Sequence, residues 1–174
     1  MLVHKRRWYF GMIRLVVVGV CLTQCVGVGV AEELRSTSLV IGTGQGILGA
    51  PGIRVPLTLT NTGTPQIASM SIEIAYDPLQ LLFQSIQLGT AAGDAGKQVS
   101  SSRSASGHIR LVVFGLNRTG IKDGVIAYVT FDIPRQAITG PVALKLITVK
   151  ASSASGQAVP VISEPGAIQV LKVS

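Results

Sequence analysis

Beyond residue 31 the chain holds eight carboxylates (Glu32, Glu33, Glu73, Asp77, Asp94, Asp123, Asp132 and Glu164), a single histidine, His108, and no cysteine. Glycoside hydrolysis needs two carboxylates facing one cleft. Asp77 and Asp123 are each followed by a turn-former, Pro78 and Gly124, and read as turn residues. Asp123-Gly124 suits a tight hairpin that needs φ > 0. Glu73 falls on the solvent side of an alternating strand. A Ser–His–Asp site would have to use His108, which sits at a loop-to-strand junction with no nucleophile motif beside it. One imidazole and no thiolate make a poor transition-metal set. Gly42-Thr43-Gly44-Gln45-Gly46 is glycine-rich, but no helix follows to present its N-terminus to a phosphate, so it reads as a loop. These residues describe a non-enzyme with no metal and no cofactor.

Sugar binding would need exposed aromatic planes. The aromatics past residue 31 are Tyr76, Phe83, Phe114, Tyr128 and Phe131, with no tryptophan. Tyr128 is the one suitable residue, because it lies opposite the apolar face of its strand. A single ring is not a platform.

The formal net charge of +7 over 174 residues is misleading. Lys5, Arg6, Arg7 and Arg14 precede an uncharged run, Leu15–Ala31, which ends at Glu32-Glu33. A basic start, an apolar middle and small residues before the acidic step define a signal peptide over 1–31, cut after Ala31. The alternatives are a retained anchor and lipidation at Cys25. The run is short for a span and contains Thr23 and Gln24. Lipidation wants a small residue where Gln24 stands. Removing the leader takes Cys21 and Cys25 with it and leaves eleven Lys and Arg against eight acids, a net +3. No basic cluster remains to neutralise phosphates, so nucleic acid is not an expected partner. The expected location is secreted, extracellular or periplasmic, with no membrane span after cleavage.

The segments that must position these residues are short and β-rich. Ala68–Tyr76 sets Met70, Ile72, Ile74 and Tyr76 against Ser69, Ser71, Glu73 and Ala75, a period of two. Val125–Ile133 alternates likewise. Leu39–Ile41, Arg54–Thr60, Leu79–Leu88, Ile109–Leu116, Val142–Val149, Val159–Ile162 and Ala167–Val173 add further strands, separated by Gly, Pro, Asn and Ser turns. Thr90–Gly107, rich in Ala, Ser and Gly, reads as a long loop or loosely paired edge. No useful amphipathic helix is evident. About nine short strands in residues 32–174 describe an all-β, single-domain sandwich of jelly-roll type.

Four patches, in order, carry a resemblance. They are Pro51-Gly52 with Val55-Pro56-Leu57, then Tyr76-Asp77-Pro78 followed by Leu82, then Asp123-Gly124-Val125-Ile126-Ala127 with Val129-Thr130-Phe131, and finally Gly166-Ala167-Ile168-Gln169-Val170. Over about residues 36–174 the chain resembles the cohesin domain, the bacterial jelly-roll module that receives dockerins. The resemblance implies a non-catalytic protein-interaction role, with a partner held on one sheet face. Carried over from the Tyr-Asp-Pro anchor, the contact positions fall on Ser69, Ser71 and Glu73 of one strand and on Val113, Gly115 and Leu116 of another. Better-known members often have Asn and Asp where Ser69 and Ser71 stand, and an acidic contact is replaced by Leu116. The carry-over also exposes Ile109, Leu111 and Val113, whereas alternation buries them.

The chain has no dockerin-like calcium loop of its own. The expected partner is therefore a protein, dockerin-like or unrelated. The alternatives are a carbohydrate-binding domain linked to polysaccharide breakdown, using Tyr128, and a structural subunit that adds its edge strands to neighbours. Asn117-Arg118-Thr119 is a glycosylation sequon, without meaning in the bacterial setting the resemblance implies.

Overall fold

The period-two pattern of residues 67–75 becomes a strand whose inward side chains, Met70, Ile72 and Ile74, are buried and whose outward ones, Ser69, Ser71 and Glu73, are half-buried. The same alternation recurs around two sheets. The structure, a computed structural model, describes residues 36–61 and 63–172, so the expected leader over 1–31 lies outside the described residues. In chain order the elements are β1 Ser38–Ile41, β2 Thr43–Ile47, β3 Ile53–Thr60, β4 Ile67–Ala75, β5 Leu82–Leu88, α1 Thr90–Asp94, β6 Gln98–Ala105, β7 His108–Phe114, β8 Gly124–Asp132, β9 Gly140–Ser153, β10 Ala158–Val159, β11 Ile162–Glu164 and β12 Gly166–Leu171. One sheet runs β11-β1-β3-β8-β5. The other runs β2-β12-β9-β4-β7-β6, with β10 beside β9. Between them lie Leu39, Val55, Leu57, Leu59, Ile72, Leu111, Val129, Phe131 and Ile168, all essentially excluded from solvent. Tyr76 and Phe83 meet Phe131 edge-on, with ring centroids 5.2 and 6.2 Å away. This is the expected all-β sandwich.

Among the described residues there are twelve strands against about nine expected, and the surplus has physical causes. The glycine-rich segment read as a loop is β2, paired in parallel with β12. Its glycines serve packing: a Cβ on Gly44 would stand 2.8 Å from Ile53 Cγ2, and one on Gly46 2.6 Å from Ile53 Cδ1. Residues 90–107 hold α1 and β6. β6 is an exposed edge strand, held by its ladder to β7 and not by an apolar face, so it carries no hydrophobic period. Asp123-Gly124 is not a hairpin. It ends the connection from β7 in one sheet to β8 in the other, although Gly124 does have the expected positive φ, +132°.

The chain changes sheets at two neighbouring glycines. Gly42, between β1 and β2, donates its N–H to the Pro56 carbonyl at 2.8 Å. Gly166 opens β12 just after β11. A Cβ there would collide with the Gly42 carbonyl oxygen and lie 2.6 Å from that of Ile41.

Candidate functional site

The outward face of β9-β4-β7-β6 gathers three of the six expected contact residues, Ser69, Ser71 and Glu73. Its rows follow from the register. Ser69 lies opposite Ser152. Ser71 stands between Lys150 and Val112, Glu73 between Thr148 and Arg110, and Ala75 between Lys145 and His108. Across β6, Ser100 faces Val112 and Ser102 faces Arg110. The small side chains of β4 leave a shallow trough of about 210 Å³, lined by Ser69, Ser71, Val112, Lys150 and Ser152. The Ser69 and Ser152 hydroxyls share a 2.7 Å hydrogen bond on its floor.

Glu73 is tied down within this face. The Ser104 hydroxyl donates to Oε1 at 3.1 Å, Arg110 Nη2 lies 3.5 Å from Oε2, and His108 Nδ1 lies 3.5 Å from Oε1. The Ser104 hydrogen bond holds its carboxyl below the usual value of 4.5. Desolvation opposes that shift, and Arg110 and His108 reinforce it.

On β7 the alternation prevails over the carried-over positions. Ile109, Leu111 and Val113 are fully buried, so Val113 packs in the core and is not a contact residue. A one-residue slip moves every side chain to the other face. The outward residues are Arg110, Val112 and Phe114, which the sequence reading passed over. Lys145 and Lys150 of β9 were missed as well. The bulge at Glu73/Ile74 breaks the period of β9, so its two lysines do not read as one face.

Beyond β7, Leu116 is fully exposed. Gly115 is half-buried against Lys97, whose Cδ would be 2.9 Å from an added Cβ. A latch fixes this loop. Lys97 Nζ donates to the Asn117 carbonyl at 3.2 Å and to its Oδ1 at 2.8 Å, and Asn117 Nδ2 donates to the Ala95 and Gly96 carbonyls, both at 3.0 Å. Burial lowers the Lys97 pKa.

The remaining residues with chemical potential do structural work. Asp77 Oδ1 accepts the Leu79 N–H at 2.9 Å, Asp123 Oδ1 the Asn61 N–H at 2.6 Å, and Asp132 Oδ1 the Gly52 N–H at 2.8 Å. Among the described residues no cluster of His, Cys, Asp and Glu could hold a metal ion. Tyr128 lies in the other sheet, opposite Pro56 and Gln87, with the Arg54 guanidinium 4.3 Å over its ring. The cation covers a plane on which a sugar would stack.

The cohesin-domain family model matches residues 38–170. The chain belongs to the cohesin family. Solved cohesins share its fold. The sixth cohesin of scaffoldin B from Acetivibrio cellulolyticus, solved in complex with a Cel5 dockerin, is 20% identical with a TM-score of 0.70 over 78% of this chain and 99% of that one. The OlpA cohesin of Clostridium thermocellum, solved with a dockerin as a type I complex, is 16% identical, also with a TM-score of 0.70, over 78% and 99%. A non-cellulosomal cohesin from the archaeon Archaeoglobus fulgidus is 18% identical, with a TM-score of 0.65, over 78% and 91%. No curated protein matches the chain. Among the described residues of this cohesin, no helix is long and apolar enough to cross a membrane.

Proposed function

We propose that this cohesin is a secreted, non-catalytic docking module that holds a dockerin-type protein on the outward face of β9-β4-β7-β6. One observation carries the reading. The serine-floored trough and its flanking Val112 and Lys150 form an open, shallow surface in a family whose solved members include dockerin complexes. Shallow faces of this kind suit protein recognition, whereas a catalytic site encloses its substrate. Ser69, Ser71 and Glu73 supply the polar centre, Leu116 and Gly115 the loop at one end. The leader over 1–31 would deliver the domain outside the cytoplasm.

The test screens calcium-loaded dockerin modules of differing surface charge against the full chain by calorimetry. At least one binds. Replacing Ser71→Arg together with Leu116→Arg weakens that binding at least 100-fold, while the circular dichroism spectrum and thermal midpoint stay the same. Unchanged affinity in this variant removes the face, and silence across the whole screen removes the docking role.

A further inference from the structure

The docking face is lopsided in charge. β9, β4, β7 and β6 together carry Lys145, Lys150, Arg110 and Arg103, and Glu73 is their single carboxylate. Glu73 is already engaged: Arg110 Nη2 and His108 Nδ1 each lie 3.5 Å from one of its oxygens. Arg103 is turned to the sheet edge, donating to the Phe83 carbonyl at 2.7 Å. Lys145 and Lys150 are exposed and have no carboxylate partner among the described residues.

Their placement is specific. Lys150 lines the trough in the same row as Ser71 and Val112. Lys145 lies five residues earlier on β9, but the bulge takes up one of them, so the two lysines stand as far apart as Ser71 and Ala75 of β4, roughly 13 Å at about 3.3 Å per residue. Ser71, Thr148 and Ala75, all small, lie in the rows between and beside them. Along β7 past the Lys150 row the face is apolar: Val112, in that row, is half-buried, Phe114 is 41% exposed, and Leu116 projects beyond them. A cationic partner residue brought to Ser69 and Ser71 would find hydroxyls, an ammonium and no free carboxylate. Like charges juxtaposed at an interface disfavour the wrong partner, and complementary ones speed encounter.

Resting on the docking role proposed above, we infer that this face selects a dockerin-type module with an acidic contact surface. Partner carboxylates sit over Lys150 and Lys145, and an apolar partner side chain packs against Val112 and Phe114.

The experiment uses the full chain and two versions of one calcium-loaded dockerin module that binds it. The exposed residues of the docking helices are Glu in one version and Lys in the other. Calorimetry at 50 and 300 mM NaCl gives four affinities. The Glu version binds at least tenfold tighter at low salt, and its advantage shrinks at high salt as screening sets in. Lys145→Gln with Lys150→Gln brings the two versions within threefold, and Lys145→Glu with Lys150→Glu reverses the order. Equal affinities for the unmodified chain, or a preference for the Lys version, overturn the charge selection and leave the docking role standing. Binding of neither version to a chain that binds the parent module also overturns the selection. A chain that binds no dockerin at all overturns the docking role and this inference together.

Discussion

Asn117 commits its whole side chain to one latch. Its Oδ1 accepts from Lys97 Nζ and from the Thr119 N–H at 3.1 Å, and its amide donates twice to the end of the α1 segment. Asn117→Ala leaves the buried Lys97 ammonium with only the backbone carbonyl and should cost about 2 kcal/mol. Urea denaturation would show a lower midpoint at unchanged slope, and partner affinity should fall as Leu116 loses its fixed position. The sequon residue is thus already hydrogen-bonded through the nitrogen a glycan would need. Glu73 gives a pH signature. Its folded pKa lies below 4.5, so the stability it contributes is complete above that value and is lost as pH falls through the lowered folded value. The stability gap between the unmodified chain and Glu73→Gln should therefore narrow as pH falls below about 4, as acid-series denaturation would show. Neither network was legible in the sequence. Residues 73, 104, 108 and 110 come together only through the pairing of β4, β7 and β6.

At the scale of elements, the register of β7 has a direct test. Leu111→Ala should cost about 3 kcal/mol and leave a cavity, whereas Val112→Thr, on the outward side, should stay within about 0.5 kcal/mol. A reversed order would place the contact face on the wrong side of the strand. β4 and β8 were readable because one side of each is buried and the other wet, the condition under which alternation appears. Even there Ile126 departs from the pattern. It is buried on the side opposite Ala127, where α1 packs against β8. α1 itself was invisible, because Thr90–Asp94 is a single turn of small residues. β2 was hidden for the same reason, since it is fixed by its backbone ladder and close approach, whereas β6 is the loosely paired edge that the Ala-, Ser- and Gly-rich stretch suggested. The carried-over Val113 failed because contact positions transferred by family likeness inherit any register error, whereas the hydrophobic period is fixed by the core. Gly166→Ala should lower stability by about 1–3 kcal/mol through overpacking, measured by thermal melting.

For the whole molecule, the two sheets divide the labour. The β11-β1-β3-β8-β5 sheet presents Tyr128 under its arginine, and Tyr128→Ala should leave retention on insoluble cellulose and chitin unchanged. The other sheet presents the serine trough and lysines. That division was legible as a sandwich, but the charge of the face was not, since the net +3 past residue 31 says nothing about where the charges lie. One topological feature reaches further. The first strand pair and the last run side by side in the same direction, β1 with β11 and β2 with β12, with the two crossings stacked at Gly42 and Gly166. Tension applied between the ends of the domain drags β1 one way and β12 the other, each along its own axis. The ladders are then loaded in shear, so their hydrogen bonds must yield together instead of parting one at a time. Forced unfolding is governed by the barrier to that first rupture. A domain closed in this way resists being drawn out when its two ends are pulled apart.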